Sequence, residues 1–204
     1  MDLGLDMPVI NQVKREITYK IVYYGTGLGG KTTNLKFIYS SIHPDYRGQM
    51  VSMATATERT LFFDYLLVNV PTANNFQLKL SLYTVPGQEE YFQSRKVILR
   101  GVDGIVFVAD SSSMKAKENC ASLEEMGNHV HDYNMSLDKI PLVLQYNKRD
   151  LTESMPVEEM DSQLNKLNVP SYASIAIQGQ EVMGTLKGIT GLVISKFATP
   201  PIGG

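Results

Sequence analysis

Two hydrophobic periods alternate along this chain. Ile17 to Tyr24 is a β-branched and aromatic run, which predicts a buried strand over 18–24. Leu35, Ile38, Tyr39 and Ile42 then recur at helical spacing, which predicts a helix over 31–41. Further strands are predicted over 60–70, 76–83, 104–110, 142–147 and 172–175, and further helices over 90–99, 115–131, 157–167 and 182–197. Ile105–Ala109 and Leu142–Leu144 are continuously apolar, as in strands covered on both faces. Val182, Leu186, Ile189, Val193 and Phe197 form one stripe on the last helix. The alternation predicts an α/β domain: a doubly wound, mostly parallel six-stranded sheet with helices on both faces and ligands at the carboxyl ends of its strands. Pro71 and Asn74-Asn75 supply turn chemistry between the second and third strands, so that pair is expected to be an antiparallel hairpin at one edge. Residues 1–15 read as a tail or edge extension, 16–198 as one domain and 199–204 as a C-terminal tail.

Composition narrows the class. At 204 residues, 43% hydrophobic and 20% charged, the chain is of globular type and large enough for one core. A net charge of −2 gives no basic footprint for nucleic acid. The single cysteine excludes an intramolecular disulfide and suits a reducing, cytoplasmic setting. Cys120 falls in step with Ala116, Leu123 and Val130, which predicts a small core residue. No stretch approaches the roughly 18 apolar residues of a membrane span. The N-terminus carries neither a signal-peptide pattern nor Gly at position 2, and the C-terminus has no cysteine for prenylation. No direct membrane anchor is expected, so membrane recruitment falls to partners.

The chemistry concentrates after the predicted strands. Gly25-Thr26-Gly27-Leu28-Gly29-Gly30-Lys31-Thr32 fits G-x-x-x-x-G-K-[ST] between a strand and a helix, the phosphate-binding loop (P-loop) of nucleoside-triphosphate enzymes. Its glycines let backbone N–H groups close on phosphate oxygens, and the helix start, through Thr33, adds its positive end. Lys31 is placed for the β- and γ-phosphates and Thr32 for Mg²⁺. Asn147-Lys148-Arg149-Asp150 follows a later strand. Asp150 can accept two hydrogen bonds from a guanine edge, which adenine does not offer, and a mismatch would leave a carboxylate unpaired, a discrimination of about 10⁴-fold. Asn147 braces that loop, and the Lys148 stem can lie over the base. Thr84-Val85-Pro86-Gly87-Gln88 ends the third strand: Gly87 can offer its N–H to a γ-phosphate and Gln88 can orient a water. Thr84 stands where enzymes of this class carry a metal-supporting Asp. Asp64 either replaces that acid or is a satisfied polar residue on an edge strand. In Thr57-Glu58-Arg59-Thr60, Thr60 is a second candidate for Mg²⁺, and Arg59 is either an internal arginine finger or a solvated surface residue. The N–H of Ala176 is a candidate for the guanine oxygen. His43, His129 and His131 form no ligand set and read as surface or satisfied residues.

Together these motifs resemble the Ras-like small GTPases, and most closely the bacterial MglA family of polarity and gliding-motility GTPases. The resemblance rests on Lys20–Gly25, Gly30–Leu35, Arg59-Thr60-Leu61-Phe62-Phe63-Asp64, Leu82-Tyr83-Thr84-Val85-Pro86-Gly87-Gln88, Ser94-Arg95-Lys96, Gly101-Val102-Asp103-Gly104 and Asn147–Asp150. It implies a GTP/GDP switch with slow hydrolysis, a roadblock-fold partner of the MglB type that orders Arg59 and Gln88, polarity or motility effectors, a second strand that shifts register between states, and collection at a cell pole. Glu89-Glu90 depart from the apolar or aromatic pair of relatives and change the partner-facing surface. The rival class is a guanine-nucleotide-binding module that does not hydrolyse, with Thr84 and Glu89-Glu90 as its signs. A trafficking GTPase of the Arf-like kind is disfavoured by the missing amphipathic, lipidated N-terminus.

Overall fold

The computed structural model describes residues 8–53, 63–71 and 77–198. The run that opens the domain forms β2 (Glu16–Tyr24), and its period of two divides the core. Tyr19, Ile21 and Tyr23 face one layer, with Leu35 and Ile38 of α1 (Lys31–Ser41) and Val182, Leu186, Ile189 and Val193 of α5 (Val182–Ala198). Val22 and Tyr24 face the other, with Ile98 and Leu99 of α2 (Phe92–Leu99), Met126 and Val130 of α3 (Ala116–His131), and Met160 and Leu164 of α4 (Val157–Leu164). Each buried Leu or Ile contributes about 1.5–3 kcal/mol, so both helical layers are held to the sheet. No described helix is long and apolar enough to cross a membrane.

β5 (Gln77–Thr84), β2, β6 (Gly104–Asp110), β7 (Leu142–Asn147) and β8 (Ser171–Ala173) run parallel in that order. β4 (Phe63–Val70) pairs antiparallel with β5, the hairpin arrangement read from the sequence. Asn74-Asn75 and residues 60–62 of the predicted second strand lie outside the described residues. The count of six strands is corrected to eight among the described residues. β1 (Val9–Asn11) pairs antiparallel with the start of β2, and β3 (Val51–Met53) pairs antiparallel with β4 at the sheet edge. Both are three-residue strands held by backbone pairing, too short to carry a readable period. β2 is flanked by β5 and β6, so the chain leaving its carboxyl end enters the crevice between two diverging halves.

Some boundaries move for local reasons. α4 stops at Leu164 rather than 167, because the Asn165 side chain bonds both the N–H and the carbonyl of Val169 at 2.9 Å and closes a turn there. A 3₁₀ turn over Glu89–Tyr91 precedes α2. Cys120 is exposed, contrary to its reading as a core residue. Asn119 takes the inward position instead. Its amide accepts from the N–H of Asp110 (3.1 Å) and donates to the Asp110 carbonyl (2.8 Å), which turns the next residue of the helix to solvent.

A buried amide relay ties three elements together. Asn34 on α1 and Gln145 on β7 exchange hydrogen bonds of 2.7 and 3.0 Å, and Gln145 donates to the Thr185 hydroxyl on α5 at 2.9 Å. Gln145→Leu leaves the Asn34 amide without its partner in an apolar layer. It should lower unfolding free energy by about 1–3 kcal/mol in urea titration, and adding Asn34→Leu should cost less than the two changes summed.

Candidate functional site

The chain between Tyr24 and Lys31 curls because its residues accept left-handed backbone angles: Leu28 has φ 59° and Gly30 φ 105°. A Cβ on Gly30 would fall 2.1 Å from Asn147 Nδ2, so only glycine fits there. α1 starts without a side-chain cap. The first helical N–H to find a backbone acceptor is that of Asn34, on Gly30 O at 3.0 Å. The N–H groups of Lys31, Thr32 and Thr33 therefore converge at the helix start with no backbone acceptor among the described residues, which is an anion site by construction. Lys31 is buried and donates to the carbonyls of Gly25 (2.8 Å) and Thr26 (2.6 Å). Burial first, and then the nearby Arg95 guanidinium, lower its ammonium to about 7 against the opposing pull of Asp64. The Thr26 hydroxyl is buried without a partner among the described residues, and Gly27 packs against Gly87. Leu28 projects into solvent, 89% exposed.

Beside this loop the antiparallel β4–β5 pair places a carboxylate. Tyr65 pairs with Tyr83, so Asp64 lies across from Thr84. The Thr84 hydroxyl donates to Asp64 Oδ2 at 3.0 Å and accepts the Asp64 N–H at 2.8 Å. The Thr32 hydroxyl donates to the same Oδ2 at 2.6 Å, and Ser52 of β3 donates to Oδ1 at 2.7 Å. Both readings left open for Asp64 fit this geometry: its carboxylate is satisfied by the hydroxyls of Thr32, Ser52 and Thr84, and it lies beside the Thr84 position. These groups line a cavity of about 390 Å³ with the phosphate loop, Pro86 and Gly87. Gln88 is exposed just beyond it. Arg59 and Thr60 lie outside the described residues.

The loop Asn147–Asp150 is bonded to the phosphate loop. Asn147 Nδ2 donates to Gly29 O at 2.8 Å, and its Oδ1 accepts the N–H of Ala176 at 2.8 Å. The amide of Ala176, assigned from the sequence to a base oxygen, is thus engaged by Asn147 in this structure. Lys148 has φ 66°, and its ammonium pairs with Asp110 at 2.6 Å. Asp150 is exposed and has no hydrogen-bond donor among the described residues. Sequence reasoning missed Asp110 and Ser52. Asp110 had a signal, an acid ending a continuously apolar strand; Ser52 had none, since only the β3–β4 pairing brings it in. Of the reading of His129 as surface or satisfied, the first half is corrected and the second holds at one ring nitrogen. It is fully buried, with Nδ1 3.3 Å from the Tyr24 hydroxyl and Nε2 unpartnered among the described residues, because α3 turns it inward against Phe92.

The depressed Lys31 gives a signed expectation. Between about 7 and its ordinary 10.5 the amine is largely neutral in the ligand-free protein. Phosphate oxygens beside it favour the ammonium, so binding takes up a proton within that window and little below it. Calorimetry with GDP at about pH 8.5, in two buffers of different ionisation enthalpy, should register uptake approaching one proton, absent in Lys31→Met. Equal heats in both buffers would contradict this.

Residues 7–192 match the family model of the ADP-ribosylation factor (Arf) family. The chain is 47% identical over 191 residues to the mutual gliding-motility protein MglA of Myxococcus xanthus, covering 94% of this chain and 98% of that protein. It is 21% identical over 191 residues to ADP-ribosylation factor-related protein 1 of Bos taurus (90% and 89% covered), and 28% identical over 151 residues to ADP-ribosylation factor-like protein 4C of Homo sapiens (67% and 75%). The Arf match lies nearer than the N-terminus led the sequence reading to expect. Together with the phosphate-loop motif, the Asn147–Asp150 loop and the Asp64 carboxylate, the matches show that the chain belongs to the Arf-type small GTPases and, among them, to the MglA family.

Proposed function

We propose that this GTPase is a guanine-nucleotide switch that holds GTP or GDP with Mg²⁺, hydrolyses GTP slowly and offers partners a different surface in each state. The observation that carries the reading is the Thr32–Asp64–Thr84 oxygen cluster beside the phosphate loop. Two hydroxyls and a carboxylate are hard oxygen donors of the kind Mg²⁺ takes. Thr32 and Thr60 would hold the ion, and Asp64 would supply the charge that Thr84 lacks. When bound, the ion offsets charge on the phosphates. Lys31 and the loop amides from Gly27 to Thr33 bind and orient the phosphate chain, Gly87 faces its end, Gln88 orients the attacking water, and Arg59 offsets charge in the transition state. Positioning and electrostatics suffice for this chemistry, with no covalent nucleophile. The non-hydrolysing alternative takes Thr84 as a sign of lost catalysis; in the present reading the carboxylate bonded to Thr84 stands in for the acid.

The base is guanine, read by Asp150 and steadied by Asn147 and Lys148. The cellular role is in polarity or motility; the likeness to a gliding-motility protein of Myxococcus xanthus supports the second. A roadblock-fold partner of the MglB type would accelerate hydrolysis by ordering Arg59 and Gln88, meeting a surface altered by Glu89-Glu90. The protein works in the cytoplasm and reaches a cell pole through its partners.

Two measurements test this. Asp64→Ala should speed release of a fluorescent GDP in Mg²⁺ by about 10–100-fold and remove most of the acceleration that a chelator gives the parent protein. Chelator sensitivity equal to that of the parent would dismiss Asp64 from the metal site. Asp150→Asn should weaken GTP by roughly 10³-fold or more and gain xanthosine triphosphate, whose ring presents the reverse donor pattern. Binding of ATP by the parent protein as tightly as GTP would refute the base assignment.

A further inference from the structure

One charged group near Lys31 has a second set of contacts, apart from its effect on that amine. Arg95 on α2 is 7% exposed and lies beneath the turn that carries Gln88. Its guanidinium uses every edge of its fork. Nε and Nη2 pair with the two carboxylate oxygens of Glu125 at 2.6 and 2.9 Å, while Nη1 donates to the carbonyl of Gln88 at 2.5 Å and reaches that of Pro86 at 3.4 Å. Glu125, on α3, accepts a further hydrogen bond of 2.5 Å from the Tyr24 hydroxyl. Tyr24 is the last residue of β2 and leads directly into Gly25 of the phosphate loop. The root of the phosphate loop is therefore joined to the Gln88 turn by three side chains in series.

We propose that Arg95 is a positioning residue for GTP hydrolysis: held by Glu125 and Tyr24, it fixes the Gln88 carbonyl and so sets where the Gln88 side chain can reach relative to the phosphates. The inference rests on the role given to Gln88 under the proposed function. The geometry distinguishes this arrangement from a surface ion pair. An exposed pair contributes little and leaves its groups free to turn. Here a bidentate pair is partly buried, both carboxylate oxygens are used, and the remaining N–H groups end on the turn itself. Burial alone would raise the Glu125 carboxyl, yet the hydrogen bonds from Arg95 and Tyr24 hold it below its ordinary range, so it keeps the charge that orients Arg95. The Gln88 carbonyl otherwise accepts only the Tyr91 N–H, at 3.2 Å, within the described residues. A lysine at position 95 keeps the charge but cannot span Glu125 and two carbonyls at once, because an ammonium lacks the planar fork.

The test measures single-turnover GTP hydrolysis and GDP dissociation on the full chain for Gln88→Ala, Arg95→Lys, Glu125→Gln and the double variant Gln88→Ala/Arg95→Lys. Misplacing a catalytic group by about 1 Å can cost up to about 100-fold. Arg95→Lys should therefore slow hydrolysis by about tenfold or more, with GDP dissociation within about twofold of the parent. Glu125→Gln, which preserves shape and still accepts one bond, should move the rate in the same direction by less. The double variant should be no slower than Gln88→Ala alone, since a residue acting through Gln88 has nothing left to position. Parent-like hydrolysis in both Arg95→Lys and Glu125→Gln, with Gln88→Ala slow, overturns the inference and leaves the proposed function standing. A double variant slowed by the product of the two single effects also overturns it, because Arg95 would then act apart from Gln88. Parent-like hydrolysis in Gln88→Ala removes the role of Gln88 and the inference with it.

Discussion

A buried ammonium is the constraint on which this site is organised. Lys31 sits at the first position of a helix and is nearly closed off from water, where a cation is disfavoured. Two loop carbonyls accept from it, but a second cation, Arg95, lies close enough to add to the unfavourable field. The helix start adds N–H groups of the same polarity. Burial, Arg95 and the helix start favour an anion with several oxygens; Asp64 and the two carbonyls act the other way. A polyphosphate would offset the ammonium and satisfy the amides together, in a loop whose positive-φ residues and Gly30 allow close approach to Asn147.

The second consequence concerns how far apart the two recognition loops are in sequence and how close in space. β2 and β7 run parallel with only β6 between them, so the chain leaves both on the same side of the sheet. Asn147 bridges the remaining gap to Gly29 and also holds Ala176. Below it, the Asn34–Gln145–Thr185 relay repeats the connection inside the core, and Asn34 also donates to Gly30 O. The 25–32 and 147–150 loops are thus two ends of one hydrogen-bonded frame.

The sequence carried most of this frame, and particular residues explain where it stopped. Ile105–Ala109 and Leu142–Leu144 could be assigned because fully covered strands leave a continuous apolar signature. The phosphate loop could be assigned because glycines, Lys31 and Thr32 have one joint use between a strand and a helix. Cys120 was misplaced by one helical position, since an apolar stripe does not announce that a polar residue such as Asn119 is needed inside to cap Asp110. The burial of His129 is hidden for a related reason: Glu125 lies one turn earlier on the same helix, but Tyr24 comes from β2 and is brought to the ring only by packing. β1 and β3 were invisible because three residues do not establish a period, and with β3 went Ser52. Arg95 was quoted only as part of a resemblance; nothing in Ser94-Arg95-Lys96 indicates that its fork closes on a carbonyl seven residues earlier.

Asp64 best illustrates what a linear motif cannot carry. A carboxylate at the end of β5 would belong to its own strand and stay in place whatever its neighbours did. Here the strand ends in Thr84, and the charge arrives from β4 through pairing. Because side chains alternate with a period of two, a slip of one residue between β4 and β5 would turn Asp64 to the opposite face and leave Thr32 and Thr84 with hydroxyls alone. A slip of two would restore the face but move the carboxylate by about 7 Å, beyond hydrogen-bonding reach of both. The negative charge of this site is therefore a property of strand register. Ser52 on the other carboxylate oxygen extends that dependence to the edge strand, so the pairing of β3, β4 and β5 is read out directly at the Thr32 hydroxyl.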